Sequence, residues 1–381
     1  MKVLMLVNSM GNGGAERVAA TLVNSWARRG DAVTLVATFT GHGACAYPVS
    51  DRVRFVYLAD LIVRSGRGPV AYLERFRALR RVIRSSAPDV IVSLLPNVNI
   101  AAIVSSRGLG IPIIACEHNN PVAEGRSSLW RLLCGAVYPL ADVVTMLTES
   151  AVAPFAAMVK AKRFAVVPNP LPDDLPFPSE PRTCVSTRKR LMSVGRLCHQ
   201  KQFDLLIAVF SRLADEFPDW DLWIWGEGPD RQKLEAQIAD LRLRDRILLP
   251  GTTQTLWFEM MHAHAFALSS RHEGLPMALM EGMALGLPAV AFDCPSGPRE
   301  LMRDGQDGLL VPMGDVEAFT RAVRHMLSDE VLRIEMGRRA ERSIRERYSL
   351  ETILAQWDEL FAQVGVPGVG KVRAGSSLAG Q

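Results

Sequence analysis

Cysteine is scarce and unpatterned in this chain. Cys45, Cys116, Cys134, Cys184, Cys198 and Cys294 form no Cys-x-x-Cys pair and no metal-ligand spacing, which argues against a disulfide framework and a zinc centre and leaves reduced thiols packed as small core residues of a cytosolic chain. Long apolar runs are missing too. Met1-Lys2 leads into an apolar run too short for a signal-peptide core, and the later stretches are broken by Pro96, Asn97, Arg131 and Asp142, so no membrane span is expected. No nucleic-acid reading motif accompanies the basic residues, and a nucleic-acid partner is set aside.

What is present is enough apolar material for two cores. With 381 residues, 48% of them hydrophobic, two domains are the expectation. The net charge of +4 conceals an asymmetry, because residues 1–168 carry 19 Lys and Arg against 10 Asp and Glu. The densest basic stretch runs from Arg64 to Arg84, with Arg67, Arg75, Arg77, Arg80 and Arg81 between them and only Glu74 opposing. Leu73, Phe76, Leu79, Val82 and Ile83 fall near helical spacing there, which predicts a basic amphipathic helix. Its charges suit either a solvated face or attraction to anionic headgroups.

In chain order, a strand over 3–7, a glycine loop over 9–15, a helix over 16–27 and a strand over 32–38 make a βαβ opening. The loop has the first two glycines of a dinucleotide fingerprint, Gly11 and Gly13, but Glu16 stands at the third and no acid ends the second strand, which disfavours NAD. Strands over 88–95 and 111–116 follow, the latter ending in Glu117-His118-Asn119-Asn120, where open α/β sheets hold ligands. Strands over 142–147 and 164–167 precede a proline-rich linker over 168–186. Past it, a strand over 189–194 exits at Gly195-Arg196-Leu197, with Lys201 just beyond, and two cations there can reach one diphosphate. A strand over 221–225 ends at Gly226-Glu227-Gly228, and Gly251-Thr252-Thr253 ends the next.

The most informative stretch is Ser269 to Glu300. A small apolar strand over 263–268 hands over at Glu273-Gly274 to a helix predicted over 276–285, with Pro276 at its first position and Gly286 at its end. The free amides near Leu275, Met277 and Ala278 make an anion site. Glu273 and Glu281 frame it.

This pattern, Glu273-Gly274-Leu275-Pro276 with a second Glu seven residues after the first, resembles the retaining glycosyltransferases of the GT-B fold, family four. The resemblance implies an α/β architecture of two Rossmann-like doubly wound domains facing a cleft: residues 1–168 for the acceptor, 169–347 for the nucleotide sugar, a helix over about 348–364 crossing back, and a disordered tail over 365–381. It implies that Glu273 holds donor-sugar hydroxyls, Glu281 the ribose, Arg196 and Lys201 the leaving nucleotide, and His118 the sugar 6-hydroxyl near the reacting centre. Gly13 and Gly14 would lie against the diphosphate. Gly195, Gly226, Glu227 and Thr252 would support the nucleotide, with Gly274, Leu275, Pro276, Met277 and Ala278 around the donor. No metal and no cofactor are expected, because no Asp-x-Asp is set on a loop to hold an ion and the cations can stabilise the departing diphosphate.

The Pro-Ser-Gly-Pro-Arg-Glu wording over 295–300 resembles bacterial members that build lipid-linked glycans. The expected partners are a nucleotide sugar, with uridine diphosphate as carrier, a glycan or lipid-linked acceptor, and an anionic membrane surface reached from the cytoplasmic side through the Arg64–Arg84 face. A nucleotide-sugar 2-epimerase, a dehydrogenase and a non-catalytic sugar-nucleotide binder stay open as alternatives.

Overall fold

The computed structural model describes residues 1–11, 13–39, 45–62, 68–118, 120, 125, 127–178 and 188–368. The chain forms two compact units, one of residues 1–172 and 350–381, the other of residues 173–349. The expectations for Arg64, Arg67 and Asn119, for the later part of the linker and for the tail from residue 369 lie outside the described residues.

In the first unit the order is β1 (Lys2–Val7), α1 (Gly14–Arg28), β2 (Ala32–Ala37), β3 (Arg54–Tyr57), α2 (Pro69–Ser86), β4 (Val90–Leu94), α3 (Pro96–Ser106), β5 (Ile113–Cys116), α4 (Ser128–Val137), β6 (Val143–Met146), α5 (Glu149–Ala156) and β7 (Phe164–Val166). The strands pair in parallel in the order β3-β2-β1-β4-β5-β6-β7. Val90 to Leu94 and Ile113 to Cys116 are buried along their whole length, the signature of parallel strands covered on both faces. Helix α1 begins at Gly14, two residues before the sequence reading placed it. It stops where Gly30 takes a φ of 90°, a conformation glycine reaches without steric cost.

The second unit repeats the plan: β8 (Lys189–Val194), α6 (Phe203–Ser211), β9 (Trp220–Trp225), α7 (Arg231–Asp240), β10 (Ile247–Gly251), α8 (Leu256–Met261), β11 (Ala265–Leu268), α9 (Met277–Ala284), β12 (Ala289–Asp293), α10 (Pro298–Leu301), β13 (Gly308–Pro312), α11 (Val316–Ser328) and α12 (Glu330–Tyr348). Its parallel sheet runs β10-β9-β8-β11-β12-β13. Strand order therefore reverses beside β1 in one unit and beside β8 in the other, and parallel α/β sheets open a crevice at such a point, outside the strands' carboxyl ends. The core of this unit gathers Phe210, Trp220, Phe292 and Phe319 between sheet and helices.

The closing helix α13 (Leu350–Gln363) belongs to the first unit. Trp357 and Phe361 pack on Trp26 of α1 with ring centroids 5.8 and 5.5 Å away. Arg29 clamps both carboxylate oxygens of Asp358 at 2.8 and 2.7 Å. Order continues past the expected stop at Gly365, since Val366 is buried and its amide donates to the Phe361 carbonyl at 3.0 Å.

In the second unit α12 packs on α9, and its Gly337 meets the turn that follows α9, where an added Cβ would overlap the Gly286 carbonyl oxygen and stand 3.4 Å from Pro288 Cδ. A helical glycine replaced by alanine ordinarily gains stability. Here overpacking reverses the sign: Gly337→Ala is expected to cost about 1–3 kcal/mol, read as a lowered midpoint for this unit in thermal unfolding. An unchanged or raised midpoint would show that α12 and the turn after α9 do not meet this closely.

Candidate active site

The exit of β8 and the exit of β11 flank the point where strand order reverses in the second unit. Between β8 and α6 the chain makes one 3-10 turn over His199–Lys201, and Gln202 follows in the left-handed region at φ 50°. Three bonds join this turn to the segment after β11. Ser269 Oγ donates to the Lys201 carbonyl at 2.8 Å, the Arg271 amide to the Gln200 carbonyl at 2.8 Å, and Gln200 Nε2 to the His272 carbonyl at 2.8 Å. The result is an ion pair between Lys201 Nζ and Glu273 Oε1 at 2.6 Å, with both side chains largely buried. A charge taken out of water is tolerated only when paired and hydrogen-bonded, so each of these two holds the other in place.

Glycine makes room for that lysine. A Cβ on Gly195 would stand 3.0 Å from Lys201 Cε, so the stem lies across bare backbone. Gly226 and Gly228 are needed for a different reason, because side chains there would overlap the carbonyls of Gly195 and Leu197. The Leu197 amide donates to the Glu227 carbonyl at 3.0 Å and the Asp230 amide to the Leu197 carbonyl at 3.0 Å. The exits of β8 and β9 are thus stitched together, leaving Arg196 exposed and without a hydrogen bond or ion pair among the described residues.

Glu281 lies in the second turn of α9, almost fully buried, and Trp257 Nε1 donates to its Oε2 at 2.7 Å. Pro276 is the residue before the first turn and not its first member: α9 starts at Met277, and the Pro276 carbonyl accepts from the Met280 amide at 3.0 Å. The amides of Met277 and Ala278 are therefore among those with no acceptor inside the helix. The loop after β12 backs this segment, with the Ser296 amide donating to the Glu273 carbonyl at 3.1 Å and the Glu273 amide to the Pro295 carbonyl at 3.0 Å. Gly297, at φ 102°, leaves space for Pro276 and Gly274. Cys294 sits in the same neighbourhood, and burial followed by the Glu273 charge pushes its thiol up to about 12, so it is a neutral packing group.

Two of the supporting positions have neighbours within the chain. Glu227 gives both carboxylate oxygens to Arg231, at 2.8 and 2.6 Å, which holds its acid below the ordinary range; the side chain folds onto α7. Gly14 is helical, and at Gly13 the space a Cβ would need is filled by the Glu16 carboxylate, which accepts from Ser9 Oγ at 3.1 Å. Thr252 is exposed beyond β10. Trp257 escaped the sequence reading because a lone Trp in an uncalled helix, α8, has no periodic signal. The Gln200 and Ser269 contacts escaped it because backbone acceptors leave no trace in residue spacing.

In the first unit His118 follows β5. The residue is half-buried, and its Nδ1 is buried with no hydrogen-bond partner among the described residues. Desolvation lowers its pKa to about 4, so the imidazole is neutral near pH 7. The residue before it is anchored from beneath. Tyr138 Oη donates to Glu117 Oε1, Asn99 Nδ2 donates to Tyr138 Oη at 3.1 Å and to the Cys116 carbonyl at 3.0 Å, and Ser93 Oγ donates to Asn99 Oδ1 at 2.8 Å. Where strand order reverses in this sheet, Asn97 Nδ2 donates to Asn8 Oδ1 at 2.8 Å.

Helix α2 carries the basic stretch. Arg75 lies over the rings of Phe39 and Tyr72, and Arg80 donates to the Ser105 and Arg107 carbonyls at 2.7 and 2.8 Å. Arg77, Arg81 and Arg84 remain exposed. Leu79, Val82 and Ile83 are buried as the spacing predicts, but Leu73 faces outward.

Residues 180–343 match the family described as glycosyl transferases group 1, and residues 13–170 match the glycosyl transferase 4-like domain. A Campylobacter jejuni enzyme named as an α-1,4-N-acetyl-D-galactosaminyltransferase acting on an undecaprenyl-diphosphate-linked acceptor is 26% identical, across 96% of this chain and 99% of that one. An exopolysaccharide phosphotransferase of Streptomyces coelicolor is 32% identical across 75% of this chain, which spans only 30% of that longer protein. Among solved structures, Anabaena HepE with bound UDP-glucose superposes with a TM-score of 0.80 at 19% identity, covering 95% of this chain and 100% of that one.

Two outcomes test the geometry. Lys201→Met and Glu273→Gln are each expected to cost about 3 kcal/mol by stranding a buried partner, and the double variant less than their sum, measured by urea unfolding; additive losses would dissolve the pair. A neutral His118 means the unfolded chain binds the extra proton first as pH falls from 6.5 towards about 4, so wild type loses stability across that window relative to His118→Gln. A constant difference between the two proteins would contradict the desolvated imidazole.

Proposed function

Because the chain belongs to the group 1 glycosyl transferases, we propose that it is a retaining glycosyltransferase that moves a hexose or N-acetylhexosamine from a uridine-diphosphate sugar to a glycan acceptor. The acceptor class we assign is a polyprenyl-diphosphate-linked glycan of bacterial surface polysaccharide or oligosaccharide synthesis, in line with the activity named for the Campylobacter relative. The UDP-glucose held by the Anabaena structure supports the choice of carrier.

One observation carries the reading: a buried Lys201–Glu273 pair at the sheet's switch point, with Glu281 eight residues on and the first amides of α9 between them. As the anomeric carbon–oxygen bond breaks, its electron pair goes to the departing diphosphate. Arg196, Lys201 and the Met277 and Ala278 amides would supply the donors for that charge, the kind of preorganised stabilisation that contributes several kcal/mol. Glu273 would orient sugar hydroxyls while keeping Lys201 in place, and Glu281, steadied at one oxygen by Trp257, would accept from the ribose. The acceptor hydroxyl would attack from the face the diphosphate leaves, its proton passing to a phosphate oxygen. His118, neutral at working pH, serves as a hydrogen-bonding group for the sugar and not as a cation. The reaction so drawn uses no metal.

For attachment, the exposed Arg77, Arg81 and Arg84 of α2 would draw the first unit to anionic headgroups. Among the described residues no helix is long and apolar enough to cross a membrane.

The first test is a panel of nucleotide sugars, scored for slow release of nucleotide to water; UDP release is the expected signal, and no release from any donor overturns the assignment. With the donor known, Lys201→Ala and Glu281→Ala should each lower transfer at least tenfold with the fold intact, while excess EDTA leaves the wild-type rate unchanged. Conversion of a nucleotide sugar without any acceptor would favour the 2-epimerase.

A further inference from the structure

Helix α4 is unlike the other helices of the first unit. Of its ten residues, Ser-Leu-Trp-Arg-Leu-Leu-Cys-Gly-Ala-Val, only Cys134 is buried. Leu129 and Leu132 keep 66% and 70% of their surface exposed, and Trp130 and Leu133 are exposed beside them. Soluble surfaces scatter single apolar residues; four large ones side by side mark a contact surface. Arg131 is the only charge on the helix, and no acid lies on it.

The surroundings identify what covers it. Helix α3 packs against both α2 and α4, so the two belong to one bank of helices. On α2 the exposed stripe reads Val70, Leu73, Arg77, Arg81, Arg84 at three- and four-residue steps, which puts apolar residues at the first turns and cations after them. Helices that follow parallel strands start at the carboxyl edge of the sheet. The first turns of α2 and α4 therefore share the edge that carries His118. An apolar face on α4 that carries no acid, with the cations of α2 in the same bank of helices, has the charge and polarity profile of an interfacial membrane contact.

We infer that the exposed face of α4 inserts into the headgroup–acyl boundary of an anionic bilayer, with Leu129, Leu132 and Leu133 below the boundary and Trp130 at it. The contact deepens the attachment given above: charge on α2 brings the protein to the surface, and α4 makes the attachment persist when salt screens the charge. It would hold the His118 edge at the depth where the diphosphate of a lipid-linked acceptor meets water.

The test uses the full chain with phosphatidylcholine vesicles, with and without phosphatidylglycerol. Wild type should bind the anionic vesicles, keep a salt-resistant fraction, and show tryptophan quenching by brominated acyl chains that Trp130→Phe removes. Leu129→Ser/Leu132→Ser should lower vesicle partition at least tenfold at unchanged melting temperature and unchanged donor hydrolysis. Binding that this double variant retains in full, that salt abolishes, and that gives no quenching would overturn the insertion of α4 while leaving the electrostatic reading of α2 standing. No vesicle binding by wild type would overturn both. A wild-type dimer that the double variant dissociates, without vesicle binding, would assign the face to a second copy of the chain instead.

Discussion

A lysine and a glutamate that cannot face low dielectric alone set the arrangement of the second unit's site. Lys201 and Glu273 come from different crossovers, 72 residues apart, and their pairing requires the turn after β8 and the segment after β11 to lie in register. The bonds from Ser269, Arg271 and Gln200 supply that register through backbone carbonyls. Truncating one partner of such a pair leaves the other charged and desolvated, a larger penalty than the pair's net worth. The same pair places a cation and an acid at the point where a doubly wound sheet receives its ligand, so under the proposed function fold stability and donor chemistry would rest on one contact.

The glycines around it serve backbone packing. Gly226 and Gly228 let the exits of β8 and β9 touch, Gly195 lets the lysine stem cross, and Gly297 admits Pro276. Each removes a Cβ that would push two loops apart, and loops held this closely keep donors positioned before any ligand arrives, the condition for electrostatic stabilisation without reorganisation. The first unit uses polar burial to the same end. Its Ser93–Asn99–Tyr138–Glu117 chain is closed by hydrogen bonds under the His118 segment, and a satisfied buried network fixes one arrangement of its members.

The two units also differ in what they present outward. Charge asymmetry in the sequence becomes, on α2, three exposed arginines, because Arg75 and Arg80 are taken up by ring faces and carbonyl groups. The apolar face of α4 adds a second, uncharged contribution.

Much of this was legible in the residues alone. Continuous apolar strands followed by polar loops and helices determined two parallel-sheet units, since only strands covered on both faces are apolar throughout. The closing helix, the Glu273–Glu281 spacing and the cations after β8 were readable because each depends on local order along the chain. Folding decided the rest. Only tertiary contact could join Lys201 to Glu273, set Trp257 on Glu281, turn Glu227 onto Arg231 and leave α4 uncovered, because partner choice between distant residues is set by sheet order and desolvation, and neither is encoded in the spacing of any one segment.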